Sequence, residues 1–461
     1  MTLAADLAEY VAGASWDDLS EPARGALKIR ILDSLGCALG ALRGEPTRRV
    51  REQIGDFGGN PHCTLIGGGR SSPDLAALYN GALVRYLDFN DSYLAPGETC
   101  HPSDNVAPVL AAAEYARASG RDLLVALGLA YQVQCRLSDV APVRARGFDH
   151  TVQGEYAVAA GVSKALGLDG DATANAIAIA GTALNALRVT RTGRLSNWKG
   201  LAYPYMAFGA THGAFLAMRG ITGPPEVFEG NKGFMDAIAG RFSIDWAQEG
   251  LDAVVGTILK KYNAEIHSQS ALEAVLELKE DNGLAAGDVD RVDLEVFDVA
   301  FHIIGGGEEG DKTLVRTKEE ADHSLNYMVA VALLDGQVMP EQYEADRISR
   351  GDVQELLRRV HIAPDPELSA RFPQEHGCRV RITLRGGRVL TKQKRDYEGF
   401  VTRPMRWETV VEKFNRLSHP YAEAGLLKEL VGVVEDLDSV DVEELTSLLG
   451  RVAVSDRPAQ F

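Results

Sequence analysis

Two polar clusters interrupt a long stretch of small-residue helical sequence, and that combination restricts what the chain can fold into. One cluster is Tyr86-Leu-Asp-Phe-Asn-Asp-Ser92 with His101-Pro-Ser-Asp-Asn105, and the other is Arg188-Val-Thr-Arg-Thr-Gly-Arg-Leu-Ser-Asn-Trp-Lys-Gly200. The Ala, Gly and Leu residues around them let helices approach closely and read as core. Polar groups set beside a core must be paired or serve chemistry. Two such clusters, about a hundred residues apart, predict a site assembled from several helices.

Apolar residues recur at three and four positions through Pro22–Leu42, Asp74–Leu87, Asn105–Arg117, Asp122–Leu137 and Glu155–Leu166, which predicts helices. Near Gly287 the character changes. Asp288–Val299 alternates as a strand does, and Cys378–Leu384 with Arg388–Lys394 reads as a hairpin across Arg385-Gly-Gly387. Ser324–Leu334 and Asp352–Val360 read as helices between them. Helical patterning returns after Arg403 in Trp407–Leu417, Tyr421–Val434 and Val442–Leu449. The expected fold is mainly α with an inserted α+β domain. A helical domain over 1–267 is followed by a smaller α+β domain over 268–403, and helices of 404–461 rejoin the first.

At 461 residues, two domains are expected rather than one core. A net charge of −17 argues against a nucleic-acid partner, since a phosphate backbone demands a basic face. It leaves open an anionic small molecule in a locally cationic pocket. The five cysteines show no C-x-x-C spacing, which predicts a reducing, cytoplasmic setting without a disulfide framework or iron–sulfur cluster. The acidic, helically spaced N-terminus does not read as a secretory signal. The nineteen uncharged residues from Gly200 to Met218 contain Pro204, Thr211 and His212, and predict a buried helix rather than a membrane span.

Several residues carry candidate chemistry. Asp88, Asn90, Asp91 and Ser92 end an apolar helix, where they also suit capping and turns. His101 stands at the entrance of the next helix, where main-chain N–H groups favour anions. Arg188, Arg191, Arg194 and Lys199 are cationic, and Lys199 at the mouth of a helix suits a carboxylate. Lys260-Lys-Tyr-Asn-Ala-Glu-Ile-His267 lies at the expected domain junction, and junctions are common ligand sites. Taken singly, His323 and Tyr327, which precede or enter an apolar stretch, read more often as satisfied core residues, and His150 similarly begins a small-residue helix. Gly305–Gly310 reads as a flexible turn. The sequence has no H-x-x-x-H, H-E-x-x-H, EF-hand, P-loop, G-x-S-x-G or strand-linked G-x-G-x-x-G pattern. Neither metal nor cofactor is therefore expected.

Taken together, these motifs resemble the MmgE/PrpD family, which includes 2-methylcitrate dehydratase, cis-aconitate decarboxylase and iminodisuccinate epimerase. The resemblance spans roughly residues 5 to 450. It rests on Asp88-Phe-Asn-Asp91, His101-Pro-Ser103, Arg191-Thr-Gly193 with Ser196-Asn-Trp-Lys-Gly200, Gly220-Ile-Thr-Gly-Pro224 with Phe228-Glu-Gly230, and Asp322-His-Ser324 with Tyr327. It implies a helical domain with an α+β lid, a homodimer and cofactor-free chemistry. By motif it implies a site containing Asp88, Ser92, His101, His150, Lys199, His267 and Tyr327. Ser92 stands where some members of the family carry threonine.

A di- or tricarboxylate needs several cationic anchors, which Lys199, His267, Arg191 and Lys261 can supply. Dehydration needs a base for a carbon-bound proton and an acid for the departing hydroxide. His101, expected to take its tautomer from Asp88 or Asp91, is the leading candidate for proton transfer, and Tyr327 or a second histidine for the opposite proton. The same parts serve decarboxylation. The sequence therefore predicts a cofactor-independent lyase of a small polycarboxylate, first a 2-methylcitrate dehydratase. Cis-aconitate decarboxylase is the alternative, followed by an iminodisuccinate-type epimerase or a non-catalytic carboxylate-binding dimer. With Tyr327 in the α+β segment and His101 in the helical one, closure of the lid is expected to complete the site.

Overall fold

The computed structural model describes residues 2–308 and 310–453. They fall into two compact units. The first comprises the described parts of Met1–Thr190, Gly200–Thr257 and Arg406–Phe461; the second comprises Arg191–Lys199 and Ile258–Met405. Of the expected turn Gly305–Gly310, Glu309 lies outside the described residues.

The first unit is helical. It contains α1 (Leu3–Gly13), α2 (Glu21–Gly40), α3 (Pro73–Tyr86), α4 (Val106–Ala116), α5 (Gly120–Val140), α6 (Thr151–Ala165), α7 (Gly170–Ala183) and most of α8 (Trp198–Met218). Helix α6 packs against α4, α5 and α7, while α3 packs against α2 and α4. Small residues make these approaches possible. A Cβ on Gly161 of α6 would stand 2.8 Å from Val109 and 2.9 Å from the Ala130 methyl, so side-chain volume is excluded there. Helix α5 begins with a capping box in which Ser119 and Asp122 satisfy each other's backbone N–H groups. After a short hairpin of β1 (Tyr93–Ala95) and β2 (Glu98–Cys100), the chain turns into α4.

The second unit is α+β. Strands β3 (Val289–Val296), β4 (Val360–Pro364), β5 (Cys378–Leu384) and β6 (Val389–Lys394) form a sheet in the order β4-β3-β5-β6. The β3–β4 pair is parallel and the others antiparallel, with Leu294 opposite both Ile362 and Val380. Strand alternation puts Val292, Leu294 and Val296 on a buried face, and the register irregularity between Val289 and Arg291 lets Val289 be buried as well. Helices α9 (Gln269–Asn282) and α10 (Leu325–Asp335) lie against the sheet and each other. Back in the first unit, α11 (Trp407–Ser418) packs on α2, followed by α12 (Ala424–Glu435) and α13 (Val442–Gly450).

The fold class is the one expected, with local differences. The strand expected over Asp288–Val299 ends at Val296, and a short helix, Asp298–Ile304, follows. The helix expected through Val360 gives way there to β4, whose pattern is too short to announce itself. The expected buried helix over Gly200–Met218 exists, but Tyr205 is 53% exposed and Leu216 is 37% exposed, so one of its faces is open. No helix among the described residues is long and apolar enough to cross a membrane.

Candidate active site

In the first unit the Asp88–Ser92 segment and the His101 turn form one buried network. Asp88 follows α3 with φ +54°, a backbone conformation unusual for a non-glycine residue. Its carboxylate accepts from Arg85 Nη1 at 2.6 Å. Asn90 Nδ2 donates to Asp104 Oδ1 at 2.8 Å and to Ser103 Oγ at 2.9 Å. Asp91 is fully buried. Its Oδ1 accepts the Ser103 N–H at 3.0 Å and its Oδ2 accepts the Tyr131 hydroxyl at 2.9 Å. Burial pushes the Asp91 carboxyl above the usual range, against Arg30 and these hydrogen bonds.

His101 is oriented by backbone. Its Nδ1 lies 2.7 Å from the Asp91 carbonyl oxygen and 3.1 Å from Ser92 Oγ. A carbonyl only accepts, so Nδ1 carries the proton and Nε2 is the basic nitrogen. The sequence pointed to the acidic side chains as the source of this tautomer. The structure assigns it to a main-chain carbonyl, because the Asp88 and Asp91 carboxylates are engaged elsewhere.

His150, at the N-cap of α6, comes to 5.4 Å from His101, ring centroid to centroid. Its Nδ1 lies 3.2 Å from the buried carboxylate of Asp149. Beyond it stands Tyr203 of α8, 6.3 Å from His150, with its hydroxyl donating toward Asn105 and Gln134 at 3.0 and 3.1 Å. Tyr131, Tyr203, Arg85 and Asp149 were not singled out from the sequence. Each sits inside an ordinary helical or loop pattern, and only packing brings them here.

The second unit carries a cationic cluster. Lys199 Nζ donates to Asp322 Oδ1 at 2.8 Å and lies 2.9 Å from His323 Nδ1; Lys318 reaches Asp322 Oδ2 at 2.8 Å. Burial alone would raise the Asp322 carboxyl, but Lys199, Lys318 and His323 together hold it well below the usual range. Arg191 is buried and donates to the Lys199 carbonyl at 3.4 Å. Lys261 is paired with Glu398 at 2.8 Å and with Glu273 at 3.7 Å. His267 is 1% exposed, with its main-chain N–H on Glu265 Oε2 at 2.7 Å.

Tyr327 does not stand with these groups. It is buried in the apolar core around α10, and its hydroxyl donates to the Gln342 carbonyl. Burial pushes that hydroxyl above its ordinary range. Two concavities, of about 540 Å³ beside Thr182 and Phe234 and about 660 Å³ on the outer sheet face, contain none of the site candidates.

The chain matches the MmgE/PrpD N-terminal domain over residues 5–247 and the MmgE/PrpD C-terminal domain over residues 262–437. It is 27% identical to cis-aconitate decarboxylase of Mus musculus, covering 94% of this chain and 90% of that one. It is 28% identical to 2-methylcitrate dehydratase of Escherichia coli K12, covering 82% and 81% of the two chains. With 2-methylcitrate dehydratase of Cupriavidus necator the identity is 30%, over 80% and 79%.

Proposed function

The chain belongs to the MmgE/PrpD family, and from that premise we propose that it is a cofactor-independent lyase of a small di- or tricarboxylate, with dehydration of 2-methylcitrate to 2-methylaconitate as its reaction. The observation that carries this reading is the buried imidazole of His101, whose Nδ1 is held by the Asp91 carbonyl so that Nε2 serves as base. His101 takes the carbon-bound proton. The electron pair of that C–H bond forms the C=C bond as the C–O bond breaks, and the departing hydroxide takes a proton from His150 and leaves as water. His150 is given this role in place of Tyr327, whose hydroxyl is committed to a backbone carbonyl.

Substrate carboxylates are assigned to Lys199 and His267. Lys199 and Lys318 bring two ammonium groups to the carboxylate of Asp322. Arg191 supports the Lys199 main chain. Lys261, engaged by two glutamates, is assigned a weaker part. Decarboxylation of cis-aconitate is the second reading, favoured by the match to the mouse decarboxylase over 94% of this chain. We further propose a cytoplasmic homodimer. The open face of α8, with Tyr205, Phe208, His212 and Leu216 at helical spacing, is the surface suited to a second copy.

The test is to incubate purified, chelator-treated protein with methylcitrate, citrate, cis-aconitate and a panel of dicarboxylates, and to identify products by NMR. Loss of water from methylcitrate supports the first reading. Loss of carbon dioxide from cis-aconitate moves the assignment to the second. Turnover that returns only with added iron or zinc ends the cofactor-independent reading.

A further inference from the structure

His376 is a buried titratable group that the proposed reaction does not use, and it lies in an unusual place. Its neighbours Phe297, Phe400 and Tyr397 stand 5.0, 5.8 and 5.3 Å away, ring centroid to centroid. Within this aromatic cage the ring of His267 lies nearly parallel to it, at 12° and 6.1 Å. Phe297 and Phe372 close the other sides of His267 at 5.5 and 5.7 Å. Both imidazoles are buried, His376 completely.

His376 is fixed through both its main chain and its ring, the ring also meeting the Ile266 backbone. Its main-chain N–H donates to the Arg395 carbonyl at 2.8 Å, just after β6. Its Nδ1 lies 3.0 Å from the hydroxyl of Ser270, in the first turn of α9. Ser270 follows His267 by three residues, so the hydroxyl that holds His376 is on the segment that carries His267. Glu265 Oε1 lies 3.9 Å from His267 Nε2, Tyr397 lies against His376, and the Cys378 thiol shares the Ser270 hydroxyl. Burial, with His267 second, pushes His376 down to about 3, so it is uncharged throughout the neutral range.

We propose that His376 is a positioning residue for His267: anchored by Ser270, its ring sets the plane of the His267 imidazole beside Glu265. A phenylalanine fills the same cage but cannot bond Ser270. The histidine therefore adds a fixed orientation that ring packing alone lacks. The consequence for binding rests on the reading of His267 as a carboxylate anchor; the consequence for the imidazole itself does not.

The test has two arms on the full-length protein. In the first, histidine ring resonances are followed by NMR against pH, without substrate, in wild type, Ser270→Ala, His376→Phe and His376→Ala. Altered titration or tautomer signature of His267 in Ser270→Ala and His376→Phe, both of which keep the cage filled, is the expected result. His267 signals unchanged in all the variants overturn the proposal. In the second arm, KM and kcat are measured on the substrate found for the wild type. His376→Phe should raise KM by about fivefold, the scale of one buried hydrogen bond, with kcat little changed. In a His267→Ala background the same substitution should add nothing, whereas a merely structural role gives the same loss in both backgrounds and overturns the proposal. If His267→Ala itself leaves KM unchanged, the reading of His267 as an anchor fails, and the NMR arm still decides whether His376 positions it.

Discussion

At the scale of single residues, the proposed scheme divides the work between His101 and Lys199 by their surroundings. His101 is held at Nδ1 by a carbonyl, a setting for proton transfer, whereas Lys199 is held by the ionised Asp322, a setting for a fixed charge. His101→Ala should lower kcat by about a hundred- to ten-thousand-fold. Lys199→Ala should weaken binding by about one to two orders of magnitude, the scale of a charge-assisted contact. Steady-state kinetics, with binding of an unreactive analogue measured separately, separates the two; near wild-type turnover by His101→Ala would shift the base to His150. Tyr327→Phe should leave turnover within about twofold and cost about 1 kcal/mol of stability, since its hydroxyl bonds only inside the core in the proposed scheme. A large fall in kcat would return Tyr327 to the chemistry.

Glu155 on α6 presents a different residue-scale consequence. It is fully buried, and neither carboxylate oxygen has a hydrogen-bond partner among the described residues. Burial pushes its carboxyl well above the usual range. In the unfolded chain the group ionises near its ordinary value, while the folded protein keeps the proton. Below the ordinary value both states are protonated and folding bears no penalty. As pH rises through the window up to the raised value, stability falls by about 1.4 kcal/mol per pH unit. Glu155→Gln should therefore gain stability over wild type at pH 8 relative to pH 5, as read by urea denaturation. An equal difference at the two pH values would show that Glu155 is ionised in the folded state.

At the scale of elements, close helix contacts rather than helix propensity dictate the small-residue sequence. Gly161→Ala would place a methyl against Val109, Ala130 and the Ala126 carbonyl, all within 3.0 Å, on α6 where it crosses α4 and α5. The substitution should destabilise by about 1–3 kcal/mol despite alanine's better helix propensity. Thermal and urea unfolding check it, and a stabilised variant would mean that α6 can shift freely. Because His150 is the N-cap of α6, such a shift should also alter activity in the proposed scheme. On the sheet side, the hairpin Cys378–Leu384 with Val389–Lys394 was legible from alternation around Gly386 and Gly387. The parallel strand Val360–Pro364 was not, because its pairing with β3 is a long-range choice that five residues cannot encode.

For the whole molecule, the open face of α8 bears on assembly. Leu216→Glu or Tyr205→Glu should convert the proposed dimer to monomer without unfolding it, as measured by light scattering on the eluted protein. A wild type that is already monomeric, or a variant that remains dimeric, would move the interface elsewhere or remove it. The sequence by itself determined the helical character of the first unit, the α+β character of the second, and the family. Those follow from local periodicity and short motifs, which a linear reading captures. Tertiary structure decided which partner each candidate meets. It gave His101 a carbonyl rather than a carboxylate, joined Arg191–Lys199 to the unit that carries Asp322, and drew Tyr327 into the core. It also set His376 against His267. These are distances between residues far apart in the chain, and periodicity and motif spacing specify no such distances.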